Sequence, residues 1–175
     1  MSVDWSPILD DPASGIVLRP FDETDLPFLE QLFASTREAE FAILPWTEEQ
    51  RRAFMKQQFQ AQHRHYIEHY PDADFLVIEQ QGRPIGRIYL DLGAEELRLM
   101  EISLLPEQRG LGLGGAMLER LCRHADRIER GIGLHVEAHN PAVRLYSRLG
   151  FRQIENRGIY DYMLRPVTRQ ENTAS

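Results

Sequence analysis

The stretch Leu104-Leu105-Pro106-Glu107-Gln108-Arg109-Gly110-Leu111-Gly112-Leu113-Gly114-Gly115 carries a strand end into a glycine-rich turn that opens a helix. Glycines let successive backbone N–H groups converge on one point, and a helix N-terminus adds about half a positive charge there. The chemistry such a turn offers is anion binding, with a pyrophosphate as the natural occupant. A glycine-rich turn without a ligand is the plain alternative. Gly110, Gly112 and Gly115 also fit the dinucleotide fingerprint G-x-G-x-x-G, with Glu137 near the place where a ribose-binding acid is wanted. Against that reading, Pro106 to Arg109 separate the strand from the first glycine, and the chain after Ala138 is too short for further βαβ units. A Walker A loop is excluded because no Gly-Lys-Ser/Thr follows.

Other reactive side chains are few. His65 and His69 stand four apart on a helical stretch, but no Glu follows His65 and no third ligand is evident, so no metal site is expected. Cys122 is the single cysteine, which excludes an internal disulfide and every multi-cysteine zinc module.

The elements that must position these groups follow from periodicity. Ile16 to Arg19 read as a short strand. Leu26, Leu29, Leu32 and Phe33 then follow at helical spacing behind a capping Asp22, Thr24 or Asp25, and this helix is expected to end near Thr36. Thr47 with Gln50 fits a capping box, and Met55, Phe59, Tyr66 and Tyr70 lie on one face of a helix reaching about His69. Residues Glu38 to Trp46 are left as a long connection of the kind that shapes sites. Phe75 to Glu79, Ile85 to Asp91 and Leu97 to Leu105 predict an antiparallel meander. A helix from Gly112 and a strand Leu134 to Ala138 then make a βαβ crossover. Asn140-Pro141 starts one more helix, closed by Gly150, and Phe151 to Glu155 and Ile159 to Leu164 form a last strand pair.

Arg109-x-x-Gly112-x-Gly114 resembles the acetyl-CoA pyrophosphate loop of the GNAT superfamily of acyl-CoA-dependent N-acyltransferases, Gln/Arg-x-x-Gly-x-Gly/Ala. Asn140-Pro141-Ala142-Val143-Arg144-Leu145-Tyr146-Ser147-Arg148-Leu149-Gly150-Phe151 resembles the superfamily's second motif. The element order resembles that fold over essentially the whole chain. Thr36-Arg37-Glu38 through Pro45-Trp46 and Gln58-Phe59 are similar to a bacterial subgroup, and this match fixes the acyl donor better than the acceptor. The resemblance implies a mixed α/β fold: a mostly antiparallel sheet of six to seven strands, a parallel splay between its fourth and fifth strands, and helices on both faces.

It also implies acetyl transfer from acetyl-CoA to a primary amine of a small molecule or peptide, by direct attack in a ternary complex and without a metal. Arg109, Gly110, Leu111, Gly112, Leu113 and Gly114 would hold the pyrophosphate, while Leu104, Leu105 and Asn140 would touch the rest of the coenzyme. An alkylammonium of pKa near 10.4 is neutral in only about one molecule in 2,500 at pH 7, so a base is needed. Glu101 is the candidate, with Glu137 and His135 as runners-up. Strand alternation puts His135, Glu137 and His139 on one face. By resemblance Tyr146 is the acid for the departing thiolate. Glu38, Glu40, Trp46, Tyr66, Tyr89, Asn156, Tyr160 and Tyr162 form the pool for the acceptor cleft. Two rival readings stay open: a non-catalytic acyl-CoA sensor on the same fold, and an NAD-dependent oxidoreductase.

Composition sets the outer limits. With 175 residues, 42% hydrophobic and 27% charged, the chain matches one domain over residues 1–175. Its first ~14 and last ~8 residues are expected to be flexible. A net charge of -7 argues against nucleic acid or an anionic membrane as partner. No leader or spanning stretch is evident, so the expected compartment is the cytoplasm. A homodimer is a possibility by analogy alone.

Overall fold

Strands form where β-branched and aromatic residues alternate, and helices where apolar residues recur at three and four. The computed structural model describes residues 3–169 and places seven strands in one sheet: β1 (Ile16–Pro20), β2 (Asp74–Gln80), β3 (Arg83–Leu92), β4 (Glu96–Leu104), β5 (Gly131–Glu137), β6 (Arg152–Arg157) and β7 (Tyr160–Arg165). Their spatial order is β1-β2-β3-β4-β5-β7-β6. All neighbours are antiparallel except β4 and β5. Gln81 and Gly82 join β2 to β3 with φ of 51° and 78°, the two left-handed residues that a tight hairpin following the strand twist requires.

The helices are α1 (Ser6–Leu9), α2 (Leu26–Phe41), α3 (Glu48–His69), α4 (Leu113–Arg127) and α5 (Ala142–Arg148). Met117, Leu118, Leu121, Cys122 and Ala125 make a buried stripe on α4, which covers one face of the sheet over Ile78, Ile88, Leu90, Leu97 and Leu99. On the opposite face Leu29 and Phe33 of α2 meet Met55 and Phe59 of α3 over Val77. None of the helices among the described residues is long and apolar enough to cross a membrane.

Three expectations change. Helix α2 continues to Phe41, five residues past Thr36, so Glu38 and Glu40 are helical and the connection to α3 is short. Strand β5 begins at Gly131 and ends at Glu137, which leaves His139 beyond the strand and off the face it was assigned. The start of the chain is tied down from Val3 onward: Trp5 and Leu9 are 2% and 0% exposed, and the Trp5 indole N–H donates to Asp74 Oδ2 at 2.8 Å. Burying two large apolar side chains offsets the ordering cost of that segment. Of the tail expected to be flexible, residues 170–175 lie outside the described residues.

Two irregularities interrupt the centre of the sheet. Tyr89 pairs with Glu101 but Leu90 with Leu99, so Met100 is an extra residue bulged out of β4. Strands β4 and β5 are paired only through Glu96, Leu97 and Arg98 against Gly131, Ile132 and Gly133, and beyond that point they part.

Candidate active site

The cleft opens where β4 and β5 separate, encloses about 490 Å³ and is walled by α2, α3, β3, β4, β5 and the start of α5. Its floor is polar because of the bulge. Leu97 and Leu99 point into the core under α4; strict alternation would send Glu101 the same way, but the extra residue reverses the parity. Glu101 and Ser103 therefore share the cleft face with Arg87 and Tyr89, their register partners across β3.

Glu101 is held from three sides. The Gln62 amide donates to Oε1 at 3.1 Å and the Tyr66 hydroxyl donates to the same oxygen at 2.9 Å. Arg87 Nη2 lies 3.7 Å from Oε2 and donates to Gln62 Oε1 at 3.0 Å. A carboxylate offers about four acceptor positions, so Oε2 keeps capacity toward the cleft. Arg87 is 2% exposed and its guanidinium lies 4.8 Å from the centre of the Tyr89 ring. Burial works against its charge, yet the Glu101 carboxylate and Tyr89 together hold its pKa above the ordinary arginine value. Burial, and then Glu101, push the Tyr66 phenol up.

Tyr146 reaches the cleft from α5. Its ring packs on Phe151 at 5.6 Å and is 8% exposed, and its hydroxyl has no hydrogen-bond partner among the described residues. Burial, followed by the Glu101 carboxylate, pushes its pKa up to about 12. It is a protonated phenol at neutral pH, with a proton to give and no acceptor holding it among the described residues. Asn140, at the same rim, caps α5 by accepting from the Ala142 N–H at 2.9 Å.

The glycine loop follows β4 through a 3-10 turn, Pro106–Gln108, which is the spacer that sets it apart from a dinucleotide turn. Arg109 turns back: Nε donates to the Leu104 carbonyl at 3.0 Å and Nη2 to Ser35 Oγ at 3.1 Å, pinning the loop to β4 and α2. Gly110 and Gly112 have φ of 74° and 81°, and Gly112 caps α4 with no side chain on the first-turn N–H groups. A Cβ placed at either glycine would meet nothing within 4 Å, and at Gly114 only Leu104 Cδ1 at 3.9 Å. The space in front of the helix end is open, and the amides that border it are uncapped by side chains.

Of the acceptor pool, Glu40, Tyr66 and Tyr160 line the cleft. Tyr89 lies beneath Arg87, Trp46 stacks on Phe41 at 5.8 Å, and Asn156 and Tyr162 bind Asp161 and Glu96. Glu38 is absent from the walls. His135 and Glu137 line the cleft from β5. Arg157 Nη1 donates to His135 Nε2 at 2.8 Å; burial, Arg98 and Arg157 lower the imidazole's pKa against a smaller opposing effect of Glu96. His65 and His69 stack on each other at 4.3 Å, and no group of three potential metal ligands occurs among the described residues.

Arg87, Gln62, Ser103 and Arg98 had no signature of their own. The pairing Arg87-x-Tyr89 against Glu101-x-Ser103 on adjacent meander strands was the one available hint, and it needed the bulge to be legible.

A family model described as an acetyltransferase (GNAT) domain matches residues 43–164. An N-alpha-acetyltransferase of Sulfurisphaera tokodaii is 25% identical over 107 residues, 51% of this chain and 64% of that protein. A Bacillus subtilis protein provisionally named as a [ribosomal protein bS18]-alanine N-acetyltransferase is 29% identical over 85 residues, 47% of this chain and 56% of that protein. The chain thus spans less than two thirds of the length of these curated relatives. Among solved structures, the PaiA N-acetyltransferase of Thermoplasma acidophilum in complex with coenzyme A superposes with a TM-score of 0.65 over 86% of this chain and 98% of that one, at 19% identity, a likeness of fold.

Proposed function

The chain belongs to the GNAT acetyltransferase family, and from that premise we propose that it moves the acetyl group of acetyl-CoA to a primary amine of a small molecule or peptide, as a single domain working in the cytoplasm. The observation that carries this reading is a carboxylate on β4 and a phenol on α5, the latter with no hydrogen-bond partner among the described residues, around one cleft, together with an open glycine cradle that follows β4.

The cradle fits the coenzyme's pyrophosphate: uncapped amides, a helix N-terminus, and glycines whose absent side chains leave room for a bulky anion. Arg109 through Gly114 would hold the phosphates, with Leu104, Leu105 and Asn140 along the arm. Bound there, acetyl-CoA would supply an acetyl group activated as a thioester.

The chain's own groups manage the protons. Glu101 Oε2 accepts one from the acceptor's ammonium, directly or through a water, which frees the nitrogen lone pair to form the C–N bond. The Tyr146 hydroxyl donates its proton to sulfur as the C–S bond breaks. The second proton, lost from nitrogen as the amide forms, restores the phenol. Gln62 and Tyr66 fix the carboxylate's orientation, which is the entropic share of the task.

The test combines binding and turnover. Acetyl-CoA at millimolar concentration should raise the melting temperature by mass action while NAD leaves it unchanged, and an amine library should release free CoA thiol. A melting temperature indifferent to acetyl-CoA would overturn the proposal.

A further inference from the structure

Among the described residues, Arg98 is the one guanidinium lining the cleft that has no carboxylate within 4 Å. Arg98 is the last residue of β4 paired to β5, so it stands at the apex of the splay. Its Nη1 donates to the Tyr70 hydroxyl at 3.2 Å and its guanidinium lies 6.0 Å from that ring's centre. No carboxylate among the described residues lies within 4 Å of it. The other arginines lining the cleft are matched: Arg37 with Glu40 and Arg87 with Glu101, each at 3.7 Å.

The acid closest along its own strand forms no ion pair with it. Glu96 receives the Tyr162 hydroxyl, and the bare Gly133 is what lets those two side chains meet. His135, next along the same face of β5, accepts from Arg157 through Nε2, so it is a neutral ring and offers no negative charge. One hydrogen bond occupies the Arg98 fork, and the residue lines the cleft. That is where a carboxylate forms its strongest hydrogen bonds with a protein cation.

We infer that Arg98 determines specificity by binding a carboxylate of the acceptor, so that the amines acetylated carry an acid group on the same molecule. This rests on the acetyl-transfer reading above. Glu101 lies three residues further along β4, so the two backbones are roughly 10 Å apart, or a little less across the bulge. With one residue at each end, that span suits a short amino acid, or a peptide's first residue when that residue is acidic. A polyamine would instead bring a second cation against Arg98.

The experiment measures kcat/KM by thiol release for matched acceptors: 4-aminobutanoate against butylamine, lysine against cadaverine, and the C-terminally amidated tripeptides Asp-Ala-Ala against Asn-Ala-Ala. The first two pairs report on free amino acids and the third on peptides. In at least one class the acid-bearing member should lead by about tenfold or more, the share expected of a charge-assisted hydrogen bond. Arg98→Gln should bring that ratio toward one, and Arg98→Lys should restore part of it. A wild-type ratio near or below one in all pairs overturns the inference, as does a ratio that survives in Arg98→Gln.

A second arm needs no turnover. Glutarate is titrated by calorimetry into wild type and Arg98→Gln, with and without CoA. Binding by wild type alone supports the inference, and no binding by wild type, or equal binding by both, overturns it. Failure of CoA itself to bind would instead sink the acetyl-transfer reading.

Discussion

Gln62 bridges Arg87 and Glu101: its amide nitrogen donates to the carboxylate at 3.1 Å while its oxygen accepts from the guanidinium at 3.0 Å. The charged pair is therefore locked in orientation by a neutral side chain from α3. Glu101→Gln keeps the size and one acceptor but removes the base, and kcat is expected to fall about 10²-fold or more. CoA affinity should stay close to wild type, while the melting temperature should fall, because the buried Arg87 loses its counter-charge. A kcat within threefold of wild type would move the base elsewhere, with Glu137 or His135 next in line.

Removing the cation is a different experiment. Arg87→Ala leaves Glu101 facing a buried void and strips Gln62 and Tyr89 of a partner. A loss of about 3–5 kcal/mol in unfolding free energy is expected, read from the denaturant midpoint. Arg87→Met fills the volume and should recover part of it.

Tyr146→Phe keeps the packing on Phe151 and deletes only the proton donor. Turnover should fall by about 10²-fold while the CoA dissociation constant changes less than threefold, measured by single-turnover kinetics and calorimetry. Equal activity in the variant would assign the acid role to another group.

At Gly112 the prediction separates backbone strain from crowding. The left-handed φ of 81° penalises any side chain, although a Cβ there meets nothing. Gly112→Ala should cost about 1–2 kcal/mol of stability and weaken CoA binding, while Gly112→Asn, which tolerates that conformation, should cost less in stability. Both are read from melting curves with and without CoA.

Asp25 supplies the pH prediction. Its carboxylate takes a two-point contact from Arg19 at 2.7 Å and accepts the Asp22 N–H, joining β1 to the start of α2. The Arg19 hydrogen bonds lower its pKa, against burial, which raises it. A depressed carboxylate stabilises the fold above its unfolded pKa of about 3.9, and that stability is lost as pH falls through the folded value. Stability should therefore drop below about pH 4, and Asp25→Asn should flatten that limb while lowering the plateau above it. An unaltered acid limb in the variant would show that other carboxylates control it.

Much of this was legible from residue types. The Thr47 capping box, the Gly112 helix start and the Asn140 cap are local chemistry, and local chemistry is written in adjacent residues. Glu101 could be nominated, but not its face: one bulged residue at Met100 reverses the alternation, and bulges depend on a partner strand that no single segment specifies. Arg87 was hidden for the related reason that its partners come from α3 and β4, distant in sequence. The overlong connection drawn from Glu38 came from an absent stop signal, since α2 simply continues until Phe41 can pack on Trp46 and Phe54.

The three-residue seam between β4 and β5 gives the sheet two inner borders as well as its outer ones. Past Arg98 and Gly133 the facing main chains have no strand partner in each other, so peptide groups in the middle of the molecule are available to whatever extended, hydrogen-bonding guest lies between them. Such a guest would complete the sheet, and the protein should be stiffer across its centre when occupied than when empty.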